Sequence, residues 1–389
     1  MGEIMSTYIW TSEYVSEGHP DKIADQISDA ILDWYLQRDP DAKVACEVMV
    51  KDSDVYVSGE IKSTVDKDKR TLELSLTRLI KGLIKDIGYT KEESPFFNSE
   101  YCRIHFNIST QSSEINRAVD KGDVVTAGDQ GIMFGYATRE TPTYMPIAIY
   151  LAKKLIEVAT DIRKKGSKLG HVQKLRPDMK SQVSVTYKDN KAVDIHSVVF
   201  STCHSEMISL EQLRKYFHSD ILPTVLESIP EELAELFTDK TVYHINPAGE
   251  WNVGGPVSDC GLTGRKIVVD QYGADCEIGG GAFSGKDPSK VDRSAAYMAR
   301  HIAITTLHEN EEANKIKVQL AYAIGEEFPV SYRIFDPTTG KEYGLGKFTH
   351  ADLTPSRIIE RLKLKTPIYL QTAKYGHFGN KDLEWEKIG

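Results

Sequence analysis

The 389-residue sequence predicts an α+β protein built from three similar sheet-and-helix layers. Three observations point there. Segments of strand character and segments of helical spacing come in clusters, without the strict β-α alternation that builds a doubly wound parallel sheet. The same mixture recurs in three successive blocks. The chain is also too long for one ordinary core, and its length suggests about two to three domains.

The elements follow in order. EGHPDKIADQISDAILDWYLQRDPDAK predicts a helix: Pro20 suits the first turn, Asp21 favours the positive end of the dipole, and Ile23, Ile27, Ile31 and Trp34 recur at helical spacing up to Asp39-Pro40. KVACEVMVKDSDVYVSGEI predicts a hairpin, with its turn at Lys51-Asp52-Ser53-Asp54. A second helix over about 70–86 ends at Gly88, and YCRIHFNIST is the next strand. Residues 111–131 are polar and rich in Gly and Asp towards their end, the composition of a disordered segment or a functional lid. A helix beginning near Pro146 turns Ile147, Leu151, Leu155, Val158 and Ile162 inward. The cations at its end, DIRKKG, suit a last turn before a capping Gly166 better than a binding patch.

From Gln182 the strands QVSVTY and VDIHSVVFSTCH precede a helix from Leu210 to Phe217. The last block holds a strand RKIVVDQY, a glycine-rich loop, a helix over 288–307, a strand KVQLAYAIG and a helix starting near Pro355. In the 288–307 helix, Asp287 reads as N-cap, Pro288 as first-turn residue, and Val291, Ala295, Met298 and Ile302 as the buried stripe.

Composition excludes several function classes. A net charge of −9 opposes non-specific binding to nucleic acid or anionic lipid, so any anion site must be local. No apolar run approaches the roughly 18 residues of a membrane span, and no signal-peptide pattern opens the chain. A cytoplasmic protein is expected. The opening Met1-Gly2-Glu3-Ile4-Met5-Ser6 fits a short acylation pattern with too few fixed positions to carry weight. The five cysteines, Cys46, Cys102, Cys203, Cys260 and Cys276, are scattered without metal spacing and read as reduced and structural.

The chemistry starts at GGGAFSGKDPSK. Gly280 to Lys286 fits G-x-x-x-x-G-K, yet Asp287 stands where the phosphate loop of nucleoside triphosphatases needs a hydroxyl for Mg²⁺. A polyphosphate site of different construction is the preferred reading. Lys286 and Lys290 lie four apart, CGLTGRK offers Arg265 and Lys266 from a glycine-bearing turn, and RPDMK ends in Lys180. Five cations on such turns in an acidic chain suit a highly charged anion. Asp21, Asp129, Asp259 and Asp292 stand in comparable places, and carboxylates beside phosphate-binding lysines commonly hold Mg²⁺. Each alone reads as cap or surface; together they suggest metal-dependent nucleotide chemistry.

TSEYVSEGHPDKIADQISDAILD, GDQGIMFGYAT, RPDMKSQV, GGPVSDCGLTGRKIVVDQYG, GGGAFSGKDPSKVDRSAAY and YGHFG together resemble the S-adenosylmethionine synthetases, over nearly the whole chain and in the family's order. The resemblance implies an adenosyl transfer from ATP to L-methionine, rather than a methyl transfer. The thioether sulfur attacks the ribose 5′ carbon, the tripolyphosphate leaves whole, and it is then hydrolysed to pyrophosphate and phosphate. It implies three α+β domains about a pseudo-threefold axis, with limits at 7–112, 128–248 and 249–389 and a mobile lid and linker at 113–127. Two subunits are expected to pack sheet against sheet and share two active sites, with dimers pairing into a tetramer.

By the same resemblance, His19, Lys180, Arg265, Lys266 and Lys286 are the catalytic set around ATP. Asp129, Asp178, Glu250, Trp251, Asp259 and Ala282 complete the nucleotide contacts, with Trp251 stacking on adenine. Glu60, Gln111, Asp259 and Lys290 are implied for methionine, Asp21 and Asp292 for two Mg²⁺ ions, and Glu47 for one K⁺. The lid departs from the family at Gln111-Ser112-Ser113-Glu114 and at Ala118; Ile278 and Glu250 replace a His and a basic residue. Two rival readings stay open here: a P-loop phosphotransferase releasing ADP, and a nucleotide sensor without turnover.

Overall fold

A computed structural model describes residues 7–65, 68–110, 126–165 and 175–388. The strands are β1 (Thr7–Val15), β2 (Lys43–Lys51), β3 (Asp54–Lys62), β4 (Arg103–Ser109), β5 (Gly131–Thr138), β6 (Leu175–Lys188), β7 (Lys191–His204), β8 (Val242–Ile245), β9 (Gly261–Leu262), β10 (Lys315–Tyr322) and β11 (Ser331–Phe335). The long helices are α1 (Pro20–Leu36), α2 (Lys69–Ile87), α3 (Ile147–Lys165) and, after four short ones, α8 (Val291–Glu309). The short ones are α4 (Leu210–Tyr216), α5 (Leu222–Ser228), α6 (Glu231–Ala234) and α7 (Ile267–Asp270); α9 (Pro355–Arg361) and α10 (Tyr369–Lys374) close the chain.

Three sheets form, with orders β4-β3-β2-β9, β1-β6-β7-β8 and β11-β10-β5. A long helix backs each: α1 on β2, α3 on β6 and β1, α8 on β5 and β10. The expected three sheet-and-helix layers are therefore present. Each sheet, however, joins strands distant in the chain: β1 lies along β6 over nine residue pairs, β5 along β10, and the short β9 against Met49 and Val50 of β2. The three blocks interlock rather than sit side by side.

α1 is buried along its entire length. Ile23, Ile27 and Ile31 form its apolar stripe, each fully enclosed, and each such side chain contributes about 1.5–3 kcal/mol of transfer free energy. Its other faces carry Lys22, Asp25, Gln26, Asp29 and Asp33, also buried. Buried polar groups persist only when hydrogen-bonded, so α1 must be met by donors from the rest of the chain. The hairpin forms as expected, with Lys51 opposite Asp54 and a two-residue Asp52-Ser53 turn.

Two expectations fail. RKIVVDQY is not a strand: Ile267–Asp270 is a single helical turn, in which Asp270 N donates to Lys266 O and Val268 is exposed beside buried Val269. Lys22 Nζ draws the Asp270 carboxylate inward at 2.6 Å, which overrides the alternation a strand would need. Asp287 does not cap α8, which starts at Val291. Its Oδ2 accepts from Val44 N at 2.8 Å and its Oδ1 from Ser289 N and Oγ, so it ties the loop to β2 instead. Lys286 and Lys290 accordingly precede the helix. The cations ending α3 also do more than complement its dipole, since Arg163 and Lys164 both pair with buried Glu17. Gly166, the first six residues and, of the lid and linker expected at 113–127, all but residues 126 and 127 lie outside the described residues.

No helix among the described residues is long and apolar enough to cross a membrane. All five cysteines are free, and four of them are buried.

Candidate active site

The chain enters α1 through a turn pinned to β6. Ser16 N donates to Met179 O, Ser16 Oγ donates to Pro177 O, and Tyr89 Oη donates to Gly18 O at 2.6 Å. This sets His19 as the N-cap of α1: its Nδ1 accepts from Asp21 N at 3.1 Å. Burial, reinforced by Lys266 and Lys180 and opposed by Asp21, pulls the imidazole down to about 3. The ring is therefore neutral at neutral pH. With Nδ1 accepting, the assigned tautomer carries its proton on Nε2 and can only donate from that side.

Around this turn gather the first group of expected residues. Asp21 Oδ2 accepts from Lys266 Nζ at 2.6 Å and Oδ1 from Leu262 N at 2.9 Å. Burial raises its carboxyl, but these two donors outweigh that and hold it below its usual value. Lys180 stands on β6 opposite Val15 and Ser201, exposed. Neither Lys180 nor Arg265 makes an ion pair or side-chain hydrogen bond among the described residues. Asp178, one turn of the pleat away, is buried; Oδ2 accepts from Gly255 N at 2.8 Å, while Oδ1 has no partner among the described residues. Burial pushes its carboxyl up to about 7, with Gly255 N and Lys180 opposing and Asp259 adding to it. Asp178 lines a cavity of about 120 Å³ together with Tyr89, Arg176, Asn252 and Val253. Trp251 is anchored beside it, its indole N–H donating to Val253 O and its backbone N–H to His204 Nε2. Glu250 and Asp259 are exposed.

The second group stands on the glycine turn. Lys286 Nζ donates to Asp292 Oδ2 at 2.5 Å, and Lys290 pairs with Asp287. The turn runs along β2: Cys46 N donates to Gly285 O, and Asp287 N to Val44 O. Gly285 has φ +81°, and a Cβ there would stand 1.9 Å from Cys46 O, so only glycine fits. The amides of Gly285, Lys286 and Asp287 bond to Asp29, Phe283 and Val44. They are engaged inside the protein rather than aimed at a phosphate, and the following helix starts only at Val291, five residues after Lys286. The P-loop reading thus lacks its geometry. The two groups meet where a Cβ on Gly264 would come within 2.5 Å of the Ala282 Cβ.

Glu47, Glu60 and Asp129 flank the second group: Ala45, opposite Glu60, bridges to Lys286, Cys46 bonds to Gly285, and Gly131, two residues after Asp129, abuts Asp292. Glu47 and Glu60 are exposed on one face of the first sheet, where Glu47 stands opposite Ser58. Asp129 is exposed just before β5, and its Oδ1 accepts from Gln130 N. Gln111 lies outside the described residues.

Three domain models of one family cover the chain: the S-adenosylmethionine synthetase N-terminal domain at residues 7–113, the central domain at 124–251 and the C-terminal domain at 253–387. The S-adenosylmethionine synthase of Clostridium tetani is 45% identical over 98% of this chain and 97% of its own. That of Phocaeicola vulgatus is 45% identical over 96% of this chain and 90% of its own. The chain belongs to the S-adenosylmethionine synthetase family.

In this synthetase, one arrangement escaped the sequence reading. Asp21, Asp25, Asp29 and Asp33 recur every four residues on α1, and each accepts backbone amides from the C-terminal block: Leu262, Gly264, Gly285, and Tyr369 with Leu370. The spacing was visible as D-x-x-x-D repeated, the pattern of one helix face drifting about 40° per step. Acid on a helix is ordinarily read as solvated, which hid its meaning. This row lays both cation-bearing turns along a single helix.

Proposed function

We propose that this synthetase makes S-adenosylmethionine from ATP and L-methionine by sulfur attack on the ribose 5′ carbon, then hydrolyses the released tripolyphosphate to pyrophosphate and phosphate. The observation that carries this reading is the convergence of the 261–266 and 282–290 turns along α1, each with a lysine paired to a carboxylate and the first beside the neutral His19. A thioether has no proton to lose, so a general base adds nothing to the first step. The barrier falls through stabilisation of charge on the departing oxygens, which fixed donors supply without reorganising. Lys180, Arg265, Lys266 and Lys286 serve that role, and the Nε2–H of His19 donates towards the leaving oxygen. Asp178, Glu250, Trp251 and Ala282 frame the nucleoside, Asp129 stands near the sugar, and Glu60, Gln111, Asp259 and Lys290 face methionine.

Among the described residues no cluster of three or more His, Cys, Asp or Glu forms a protein-only metal cage. Mg²⁺ does not require one, because it takes one or two carboxylates and completes its shell with phosphate and water. Asp21 and Asp292 fit. A Cβ on Gly281 would stand 2.3 Å from Asp292 Oδ1 and one on Gly131 3.3 Å, so two side-chain-free residues leave that oxygen accessible. Bound there, Mg²⁺ supplies Lewis-acid neutralisation of phosphate charge. Without ligand, Asp21 and Asp292 hold the Lys266 and Lys286 ammonium groups by direct ion pairs. For K⁺, Glu47 and Ser58 offer at most three side-chain oxygens on an open sheet face, so the rest of its shell must come from another surface. A second copy packed on that face supplies one, consistent with a dimer that shares its sites and pairs into a tetramer. A cytoplasmic setting suits the free cysteines.

The test is incubation with ATP, methionine, Mg²⁺ and K⁺, with product analysis. A sulfonium product with pyrophosphate and phosphate is expected. ADP without sulfonium would instead indicate a phosphotransferase, and absence of turnover a sensor. The mass in solution separates dimer from tetramer.

A further inference from the structure

Arg293 is fully buried and grips the glycine turn from within. Its Nη1 donates to Phe283 O at 2.9 Å and Lys286 O at 3.2 Å, and its two Nη atoms donate to the Asp29 carboxylate at 2.7 Å each. Asp29 Oδ1 also accepts from Gly285 N at 2.8 Å. Nε donates to Tyr297 Oη and Nη2 to Thr372 Oγ1, which locks the guanidinium plane. The next residue back, Asp292, stands on the more exposed side of the same helix and holds the Lys286 ammonium. Consecutive residues of α8 therefore fix Lys286 at both ends, Arg293 its carbonyl and Asp292 its charge.

Stability alone does not call for such a pair. Two buried charges pay a large desolvation penalty, and well-packed apolar replacements are often as stable or more so. What the rigid fork adds is geometry: one planar group holds two carbonyls three residues apart and the Asp29 carboxylate that accepts the Gly285 amide between them, which a lysine cannot reproduce. We propose that the Asp29–Arg293 pair is a positioning device for Lys286, fixing the 283–286 backbone so that the ammonium stands where charge develops on the leaving tripolyphosphate. The inference rests on the role proposed above for Lys286. A misplacement on the order of 1 Å in such a group is enough for roughly 100-fold in rate.

The experiment is a double-mutant cycle on the full chain, with kcat and the methionine KM measured per folded molecule and the melting temperature of each variant recorded. Arg293→Lys is expected to lower kcat by about 30-fold with KM within about 3-fold. Placed on Lys286→Ala, it should lower kcat by less than about 3-fold further, because the group it positions is gone. Asp29→Asn, which keeps an acceptor for the Gly285 amide, is read in the same cycle should Arg293→Lys fail to fold. Equal losses in both backgrounds, or full turnover by Arg293→Lys, would overturn the inference. If Lys286→Ala itself kept wild-type turnover, the role of Lys286 would fall and the inference with it; multiplying losses on an impaired Lys286→Ala would sink the inference alone.

Discussion

At the scale of single residues, Lys286, His19 and Asp178 are held in three different electrostatic states, and each state predicts a measurement. Lys286→Ala removes a charge that acts on the leaving group, so kcat should fall by about 100-fold or more while the methionine KM stays within a few-fold; unchanged kcat would remove it from that role. His19 is depressed to about 3 by burial and the cations beside it. The pH profile of kcat/KM, which reports groups of the free enzyme, should therefore show no His19 inflection near 6.5, and one that vanishes in His19→Asn would contradict the neutral-donor reading. Asp178 is raised by burial to about 7. Its folded form holds a proton that the unfolded chain releases near pH 4, so stability is lost as pH rises from about 4 through 7. Asp178→Asn should remove that loss. The stability of the variant relative to the natural chain, measured by denaturant unfolding without ligand, should grow over this range by up to a few kcal/mol; a constant difference would disprove the raised carboxyl.

At the scale of elements, α1 and the glycine turn depend on contacts that no local propensity contains. Gly285→Ala combines a left-handed backbone with a Cβ pressed on Cys46 O. It should cost about 2 to 4 kcal/mol, and a melting temperature equal to the natural chain's would show that the turn can move off β2. By contrast, α4 is locally determined. Ser209 and Gln212 form a reciprocal capping box, and Ser209→Ala should cost about 1 kcal/mol while turnover per folded molecule is unchanged. The same contrast explains which elements could be read. α2, with Leu76, Ile80, Leu83, Ile84 and Ile87 on one face, and the β2-β3 hairpin carry their own periodicity and turn signals. β1, β5 and β9 are completed by distant strands, and α7 took a strand-like sequence because Lys22 captured Asp270.

For the whole molecule, interlocking decides behaviour. Residues 7–113, taken alone, would leave β1 without β6, the β2 edge without β9, and the α1 carboxylates without the amides of Leu262, Gly264, Gly285, Tyr369 and Leu370. Such a fragment should show no cooperative thermal transition by circular dichroism, since its polar helix face would be unsatisfied. A sharp melt would mean that the block folds by itself despite its shared strands.

The sequence by itself determined the family, the α+β class, most of the long helices and the identity of the cations, because these are written in contiguous motifs and in periodicities of one segment. Only the tertiary structure decided that each sheet is shared between distant segments, that Asp287 binds β2 instead of capping a helix, and that three aspartates of α1, Asp21, Asp25 and Asp29, hold the two cationic turns. These are pairings between residues 165 positions apart, Val15 with Lys180, or more, up to 256 for Asp29 with Gly285, chosen by which buried donor meets which buried acceptor. Spacing along the chain carries no record of that choice.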